Sequence, residues 1–347
     1  FVFILYFGSY LIVSSQGTAF GVGQLSSLIT YGFMMLMSLM MLSFVFAMII
    51  IAEEGARRIC EVLLATSTIN NPENPLTEVA DGSIDFDSGP EGREALSDVN
   101  LHINSGEVIG IIGGTGSAKS TLVQLIPRLY DVTAGSVSVG GHDVRDYDIN
   151  TLRGAVAMVL QKNVLFSGTI TENLLWGNPN ATDEEILLWG NPNATDEEIL
   201  EAARLAQADS FVQTFPDKYE THIEQGGNNV SGGQKQRLCI ARALLRHPKV
   251  LILDDSTSAV DTKTDSLIRA GLKDYLPDTT KIIIAQRTSS IEESDKIIVL
   301  DNGRINAIGT HEELLKDNPI YREVYFSQNK QSVDENQFQE GEVTSHE

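Results

Sequence analysis

The first 52 residues contain no Asp, Glu, Lys or Arg, so all 25 basic and all 47 acidic residues of the 347-residue chain lie after them. An apolar stretch of this length is typical of a chain that crosses a lipid bilayer, where an unpaired charge is costly. The remainder carries the whole net charge of −22. The sequence therefore predicts an apolar N-terminal segment joined to an acidic globular body.

The apolar segment is predicted to contain one complete membrane span and the end of another. Phe1–Val13 is apolar but shorter than the ~20 residues that a spanning helix needs. The polar stretch Ser14–Thr18 predicts a turn outside the bilayer, and Phe20–Ile51 is long enough to cross with some tilt. Arg57 and Arg58 follow, which places this end in the cytoplasm by the positive-inside rule. A buried hairpin of a soluble protein is the alternative.

The acidic body excludes nucleic acid as a partner, because a net charge of −22 would repel a phosphate backbone. Two cysteines are too few for a disulfide scaffold and indicate a reducing compartment. An Asn- and Pro-rich segment marks the boundary between the apolar segment and the body, and a Gln- and Glu-rich stretch marks the end of the body. The predicted parts are transmembrane residues 1–65, a linker over 66–81, a body over 82–328 and a disordered tail over 329–347.

A glycine-rich loop follows the β-branched run Val108–Ile112, which predicts a buried strand, and precedes Leu122–Leu129, which has helical spacing. Strand, loop and helix form a phosphate cradle in which backbone N–H groups face anionic oxygens. In this pattern the lysine holds the β- and γ-phosphates and the next hydroxyl ligates Mg²⁺. The predicted binding residues are Gly113, Gly114, Thr115, Gly116, Ser117, Ala118, Lys119, Ser120 and Thr121.

Two further features of the body bear on this loop. Ala118 stands where the pattern has glycine, and its Cβ would cost about 1 kcal/mol if the position is left-handed. A second apolar strand, Val250–Leu253, ends in Asp254 and Asp255. A carboxylate at the end of a parallel strand beside a phosphate loop is typical of a Mg²⁺ site, so Asp254 is predicted to act with Ser120.

A third block, Val230-Ser231-Gly232-Gly233-Gln234, opens an apolar-periodic helix through Leu245 and resembles the signature of ABC proteins. Gln161 resembles the Q-loop glutamine, and Ser258–Asp261 resembles the D-loop. With the phosphate loop and the apolar leader, these motifs make the chain similar to ABC exporters of the multidrug and lipid-flippase type. The resemblance implies an α/β P-loop ATPase with a parallel core sheet and a helical subdomain at about 160–245. All-α transmembrane helices, the end of the fifth and the whole sixth of the family, would precede it.

The resemblance also implies a division of labour between two chains. ATP and Mg²⁺ would bind the phosphate loop, with Ser120, Gln161 and Asp254 at the metal. In ABC dimers each nucleotide lies between one chain's loop and the other chain's signature. The signature residues would therefore bind the partner's ATP, and these are Ser231, Gly232, Gly233 and Gln234.

Two catalytic positions depart from the family. Asp255 stands where the family has the glutamate that polarises the attacking water, and Gln286 stands where it has the switch histidine. A carboxylate one methylene shorter is displaced by about 1 Å, which can cost on the order of 100-fold in rate. Glutamine can donate a hydrogen bond but carries no charge. Asp255, Gln286 and Gln161 are thus predicted to form a degenerate, slowly hydrolysing site.

These departures resemble one subunit of a bacterial heterodimeric exporter in the plasma membrane. The predicted partner is a second ABC half-transporter with intact glutamate and histidine. The predicted substrates are drugs, lipids or other small amphiphiles, and membrane lipid is a further predicted partner. Two alternatives stay open. One is a slow homodimeric exporter, and the other is a non-transporting ABC module that uses ATP-dependent dimerisation.

A tandem repeat interrupts the predicted helical subdomain. The 13-residue unit LLWGNPNATDEEI occurs twice without a difference, at 174–186 and 187–199. The family has one such unit, so the second is predicted to be an insertion without a function of its own. Each copy contains Thr-Asp-Glu-Glu, which predicts a capping box at a helix start. Phe86 is the one aromatic between residues 81 and 99 and is expected in a strand core, which leaves no residue predicted to stack on adenine.

Overall fold

The computed structural model describes residues 1–16, 18–88, 95–176, 190–256 and 258–328. The chain divides into two units, Phe1–Thr68 and Ile69–Glu347. The predicted tail over 329–347 and most of the first repeat copy lie outside the described residues.

The first unit consists of two apolar helices, α1 over Val2–Ser14 and α2 over Val22–Leu63. With 42 residues, α2 is about 63 Å long, twice the ~30 Å of a bilayer core. It is the one helix in the described part of the chain that is long and apolar enough to cross a membrane. Its charged end is linked by ion pairs from Arg57 and Arg58 to Glu54. The helix thus continues beyond the apolar stretch that ends at Ile51 into a charged segment.

The second unit is built on three sheets. The described strands, in chain order, are β1 Ile84–Ser88, β2 Leu101–Ile103, β3 Val108–Gly113, β4 Gly135–Val139, β5 His142–Asp143, β6 Val156–Val159, β7 Gly168–Thr169, β8 His222–Ile223, β9 Val250–Asp254, β10 Thr280–Ile284, β11 Lys296–Asp301 and β12 Arg304–Gly309. The central sheet has the order β12-β11-β3-β10-β9-β6 and is parallel except for β12. A four-stranded antiparallel sheet, β2-β1-β4-β5, and the pair β7-β8 complete the set.

Helices cover the central sheet and form a separate lobe. In chain order they are α3 Lys119–Leu125, α4 Ile149–Ala155, α5 Ile170–Leu175, α6 Asp196–Leu205, α7 Asp209–Val212, α8 Gly232–Leu244, α9 Thr262–Tyr275, α10 His311–Asp317 and α11 over 319–328. The helices α5 to α8 lie within the predicted helical subdomain. Thr195 and Glu198 form the predicted capping box at the start of α6.

Successive side chains of the central strands point to opposite faces of the sheet, and this creates one hydrophobic core on each face. In β3, Ile109 and Ile111 pack with the antiparallel sheet and α3, whereas Ile112 packs with the helical lobe. Burying each such side chain stabilises the fold by about 1.5–3 kcal/mol. Phe86 belongs to the first core at 7% exposure, which confirms its predicted place in a strand core. The predicted α/β architecture with a parallel core sheet is therefore confirmed.

Two boundaries differ from the sequence-based expectation. The second unit begins at Ile69 rather than at residue 82, because the backbone of Leu76 is hydrogen-bonded to both Asp146 and Asp148. The helix after the phosphate loop begins at Lys119 and ends at Leu125, not at Leu129. Helix α11 reaches residue 328, the predicted end of the body.

The chain on the two sides of residues 177–189 is in direct contact. The Gly190 N–H donates to the Trp176 carbonyl at 2.7 Å, although 13 residues separate them in sequence. A Cβ at Gly190 would lie 1.8 Å from the Leu174 carbonyl oxygen, so only glycine allows this approach. Because the repeat copies are identical, residues 174–176 followed directly by residues 190–199 would form one complete copy of the repeat unit.

We expect deletion of residues 177–189 to leave the second unit folded. The deletion joins Trp176 to Gly190, and a shorter loop costs slightly less closure entropy, so stability should be unchanged or higher by less than about 1 kcal/mol. Urea unfolding of the full chain would measure this. A deletion of equal length over 196–208 is the matched control, and it should unfold the lobe because it removes buried Ile199 and Ala202. Equal destabilisation by both deletions would contradict the expectation.

Candidate functional site

The predicted phosphate-loop, metal and catalytic residues meet at one edge of the central sheet. Four neighbouring parallel strands, β3, β10, β9 and β6, end at this edge. The phosphate loop follows β3, Gln286 follows β10, Asp254 ends β9 and Gln161 follows β6. Because the carboxyl ends of parallel strands share one edge, residues distant in sequence are brought together there.

Several positions of the phosphate loop have either a close backbone contact or a positive φ. A Cβ at Gly113 would lie 2.2 Å from the Leu300 carbonyl oxygen, so β11 leaves room for glycine alone. Gly116 has φ +82° with open space around it. Ala118 has φ +69° and ψ 25°, a left-handed conformation immediately before α3. The loop therefore keeps its turn geometry although alanine occupies the last glycine position.

We expect Ala118→Gly to stabilise the second unit by about 0.5–1 kcal/mol. Removing Cβ relieves about 1–2 kcal/mol of left-handed strain, and the greater entropy of unfolded glycine returns part of this. The change would be measured by urea unfolding of the full chain. Ala270→Gly is the matched control, because Ala270 is exposed in the interior of α9 and should lose about 0.5–1 kcal/mol. A loss of stability at both positions would show that Ala118 is not strained.

Lys119 and Ser120 connect the loop to β9. The Lys119 ammonium donates to the carbonyls of Gly113 and Gly114 at 2.8 and 2.9 Å. Burial lowers the pKa of Lys119, and the nearby carboxylates of Asp254 and Asp255 oppose that change. The Ser120 hydroxyl is hydrogen-bonded to Asp254, and burial raises the pKa of that carboxyl. The Lys119 ammonium, the Ser120 hydroxyl and the Asp254 carboxylate thus lie together, as expected for a site that binds phosphate and a metal ion.

Asp255 is held by two glutamine side chains. Gln161 and Gln286 both donate through Nε2 to the same oxygen, Oδ2, at 2.9 and 2.6 Å. The Asp255 N–H donates to the Ile284 carbonyl, and its φ is +48°. Burial raises the pKa of Asp255, while the two amide donors lower it. The structure therefore brings together the three residues predicted to be catalytic.

The signature residues form the start of α8. Ser231 is the N-cap, its hydroxyl accepts from the Gln234 N–H at 3.2 Å, and the Gln234 side chain accepts from the Ser231 N–H at 2.9 Å. This capping box leaves the proton of the Ser231 hydroxyl available for another acceptor. Ser231 and Gly232 are exposed. The hydrogen bonds of Ser231 and Gln234 stay within this helix start, separate from the loop at 113–121.

Sequence reasoning missed Gln328, the last described residue of α11. Its side chain bonds to the segment that carries Gln286, at the backbone of Gln286 and Thr288. A polar residue at the edge of a region predicted to be disordered gave no signal of this contact.

The described part of the chain contains no cluster of three or more His, Cys, Asp or Glu residues that could hold a metal ion. A Mg²⁺ ion bound with ATP needs no such cluster, because phosphates and water supply most of its six ligands. The hydroxyl of Ser120 and the carboxylate of Asp254 are hard oxygen donors and fit such an ion.

Residues 96–258 match the family model described as ABC transporter. The matched segment includes the phosphate loop, the signature and both aspartates at the end of β9. The chain carries an ABC transporter ATPase domain.

Individual relatives of this ABC domain extend the likeness beyond the matched segment. An uncharacterized ABC transporter ATP-binding protein of Mycobacterium tuberculosis is 41% identical over 337 residues, which are 94% of this chain and 55% of that protein. A putative multidrug export ATP-binding/permease protein of Staphylococcus aureus is 41% identical over 257 residues, 73% of this chain and 42% of that protein. The chain spans about half the length of these curated relatives.

A solved structure, that of a bacterial Atm1-family ABC exporter with ATP bound, superimposes with a TM-score of 0.71 and 29% identity. The superposition covers 94% of this chain and 56% of the exporter chain. The likeness thus includes the apolar N-terminal helices as well as the ABC ATPase domain.

Proposed function

We propose that this chain is the ATP-binding and membrane-attached subunit of a heterodimeric ABC exporter. Its own phosphate loop binds ATP in a degenerate site that hydrolyses slowly. Its signature, Ser231–Gln234, completes the active site that is built on the partner's loop. The complex lies in the plasma membrane and moves a small amphiphile out of the lipid. The observation that carries this proposal is the double amide contact on Asp255.

A catalytic base must accept a proton from the attacking water. Hydrogen bonds from Gln161 and Gln286 oppose the rise in the pKa of Asp255 that burial causes, and they occupy Oδ2, one of its two proton-accepting oxygens. The aspartate also reaches less far than the family's glutamate. Gln286 is neutral, so it cannot stabilise negative charge on the γ-phosphate as a protonated histidine would. These features support ATP binding at this site without rapid cleavage.

ATP bound here would be held by the loop N–H groups, by Lys119 and by a Mg²⁺ ion at Ser120 and Asp254. The ion supplies charge neutralisation at the β- and γ-phosphates. The Lys119 ammonium is held by two carbonyls of its own loop, within the cradle that would hold the phosphates. Gln161 follows β6 and donates to Asp255 at 2.9 Å.

We expect Asp254→Asn to remove the contribution of Mg²⁺ to ATP affinity. The variant keeps the side-chain shape and the acceptor for Ser120 but loses the buried charge that attracts the ion. ATP affinity of the full protein would be measured by titration with and without Mg²⁺. The parent should bind at least about tenfold more tightly with Mg²⁺, and the variant should bind equally in both conditions. A variant that keeps the Mg²⁺ dependence would place the metal elsewhere.

The heterodimer and the slow homodimer make different predictions for the nucleotides that stay bound. In the heterodimer, one nucleotide per complex remains ATP after several turnovers while the other becomes ADP. In a slow homodimer both nucleotides remain ATP. Quenching the purified complex and separating its bound nucleotides would distinguish them, and two ADP per complex would exclude a degenerate site.

A non-transporting ABC module is disfavoured by the 42-residue apolar helix α2. A transport assay tests this alternative. The complex, reconstituted in lipid vesicles, should move a fluorescent amphiphile only with hydrolysable ATP. ATP-dependent dimerisation without any movement of the probe would favour the module.

A further inference from the structure

The side chain of Gln328 joins α11 to the segment that follows β10. Its Nε2 donates to the Gln286 carbonyl at 2.8 Å, and its Oε1 accepts from the Thr288 N–H at 2.9 Å. The Thr288 hydroxyl donates to the same oxygen at 3.2 Å. One amide group thus bonds to the backbone on both sides of Arg287.

The orientation of this amide is fixed by its partners. A backbone carbonyl can only accept and a backbone N–H can only donate, so exchanging Oε1 and Nε2 would break both contacts. Thr288 is buried at 3% exposure, whereas Gln286 is exposed. Gln328 therefore joins to α11 a turn whose Gln286 and Arg287 are exposed.

The far end of the same turn has its own anchor. The Ser290 hydroxyl donates to the buried carboxylate of Asp265 on α9 at 2.9 Å. Asp265 is also paired with Arg269 at 3.3 Å. Because Ser290 is held independently, Gln328 is the side chain that holds the near end, where Gln286 branches toward Asp255.

We propose that Gln328 is a positioning residue for the ATP site and acts through Gln286. It fixes the backbone of Gln286 so that Nε2 lies 2.6 Å from Asp255 Oδ2. This inference rests on the proposed function, since it assigns to α11 a role in how that site handles ATP. Without Gln328 the backbone of Gln286 would lose this anchor, so Nε2 of Gln286 would bond to Asp255 Oδ2 less of the time and leave an acceptor position on that oxygen open to the attacking water.

The test is a double-mutant cycle in the full protein with its partner, whose own site is disabled. Single-turnover hydrolysis of radiolabelled ATP is measured for the parent, Gln328→Ala, Gln286→Ala and the double variant. We expect Gln328→Ala to raise the rate by about threefold and to change the ATP dissociation constant by less than about twofold. In the Gln286→Ala background, Gln328→Ala should have almost no further effect, because residues that act in series are not additive.

Two variants separate positioning from a general loss of structure. Ser327→Ala is the matched control, because the Ser327 hydroxyl bonds to Val324 of its own helix. Gln328→Glu keeps the acceptor for Thr288 but loses the donor to Gln286, so its rate should lie between those of the parent and Gln328→Ala. Hydrogen exchange of the Thr288 amide gives a readout that needs no hydrolysis. It should be faster by about fivefold in Gln328→Ala and unchanged in Ser327→Ala.

Additive effects in the cycle would overturn the inference, and so would equal rates and equal exchange in Gln328→Ala and Ser327→Ala. Rapid hydrolysis by the parent would contradict the degenerate site. The double-mutant cycle could still be interpreted in that case, because it compares ratios of rates. The two failures can therefore be told apart.

Discussion

Asp255→Glu combined with Gln286→His should raise ATP hydrolysis at this chain's own site by about 100-fold. The glutamate extends the carboxylate by one methylene toward the attacking water. The histidine replaces a neutral amide on Asp255 by a group that can carry positive charge beside the γ-phosphate. The measurement is steady-state ATPase activity of the complex whose partner site has been disabled.

The matched control for this gain is Asp255→Asn combined with Gln286→His. It supplies the same histidine but no carboxylate, so hydrolysis should stay at or below the parent rate. Residue 255 has φ +48°, which aspartate tolerates better than most residues. The glutamate variant should therefore be slightly less stable than the parent although it is faster. A double variant no faster than the parent would contradict the assignment of these two positions.

The second large effect concerns the signature. Gly232→Asp in this chain should lower the ATPase activity of the heterodimer by more than about 100-fold. Gly232 is the first residue of α8, and an added Cβ would meet Ala259 at 3.6 Å, an ordinary contact. A carboxylate at a helix N-terminus stabilises the helix of the free chain. In the assembled site it would face the γ-phosphate of the partner's ATP, where like charges cost several kcal/mol.

Two controls make this result specific. Gly232→Asn has nearly the same shape without the charge and should retain more activity. Lys119→Ala weakens ATP binding at this chain's own loop, which the proposal makes a regulatory site, so it should lower turnover less than Gly232→Asp does. Measurement of all three in the purified complex would decide the point. An unchanged rate in Gly232→Asp would mean that this signature serves no hydrolysing site.

Features set by short stretches of sequence could be predicted. The glycine-rich loop carries its own turn requirements, and Asp254 directly ends an apolar strand, so both were found from local pattern. Ala118 was expected to be strained only if its position was left-handed, and its φ of +69° meets that condition. The parallel sheet was expected from the resemblance to ABC exporters, and its strand order explains why Gln161 and Gln286 approach Asp255.

Features that depend on long-range contacts could not be predicted. The sequence gives no sign that two amides share one oxygen of Asp255, because their spacing of 94 and 31 residues from it is fixed only by the order of the strands. Gln328 lies 42 residues from Gln286 at the edge of a polar region. Residues 66–81 were predicted to be a linker, yet the backbone of Leu76 bonds to Asp146 and Asp148 and the Asn71 side chain bonds to Asp148. These contacts join residues at least 70 positions apart, so the local sequence does not show them.

The most direct test of a site that binds ATP but cleaves it slowly uses the full-length protein that contains this chain, purified without any other ABC subunit. ATP binding and single-turnover hydrolysis would be measured on the same sample. We predict saturable ATP binding with cleavage at least about 100-fold slower than the ~1–10 per second of ordinary ATPases. Cleavage at about 1 per second or faster in that sample would contradict the account.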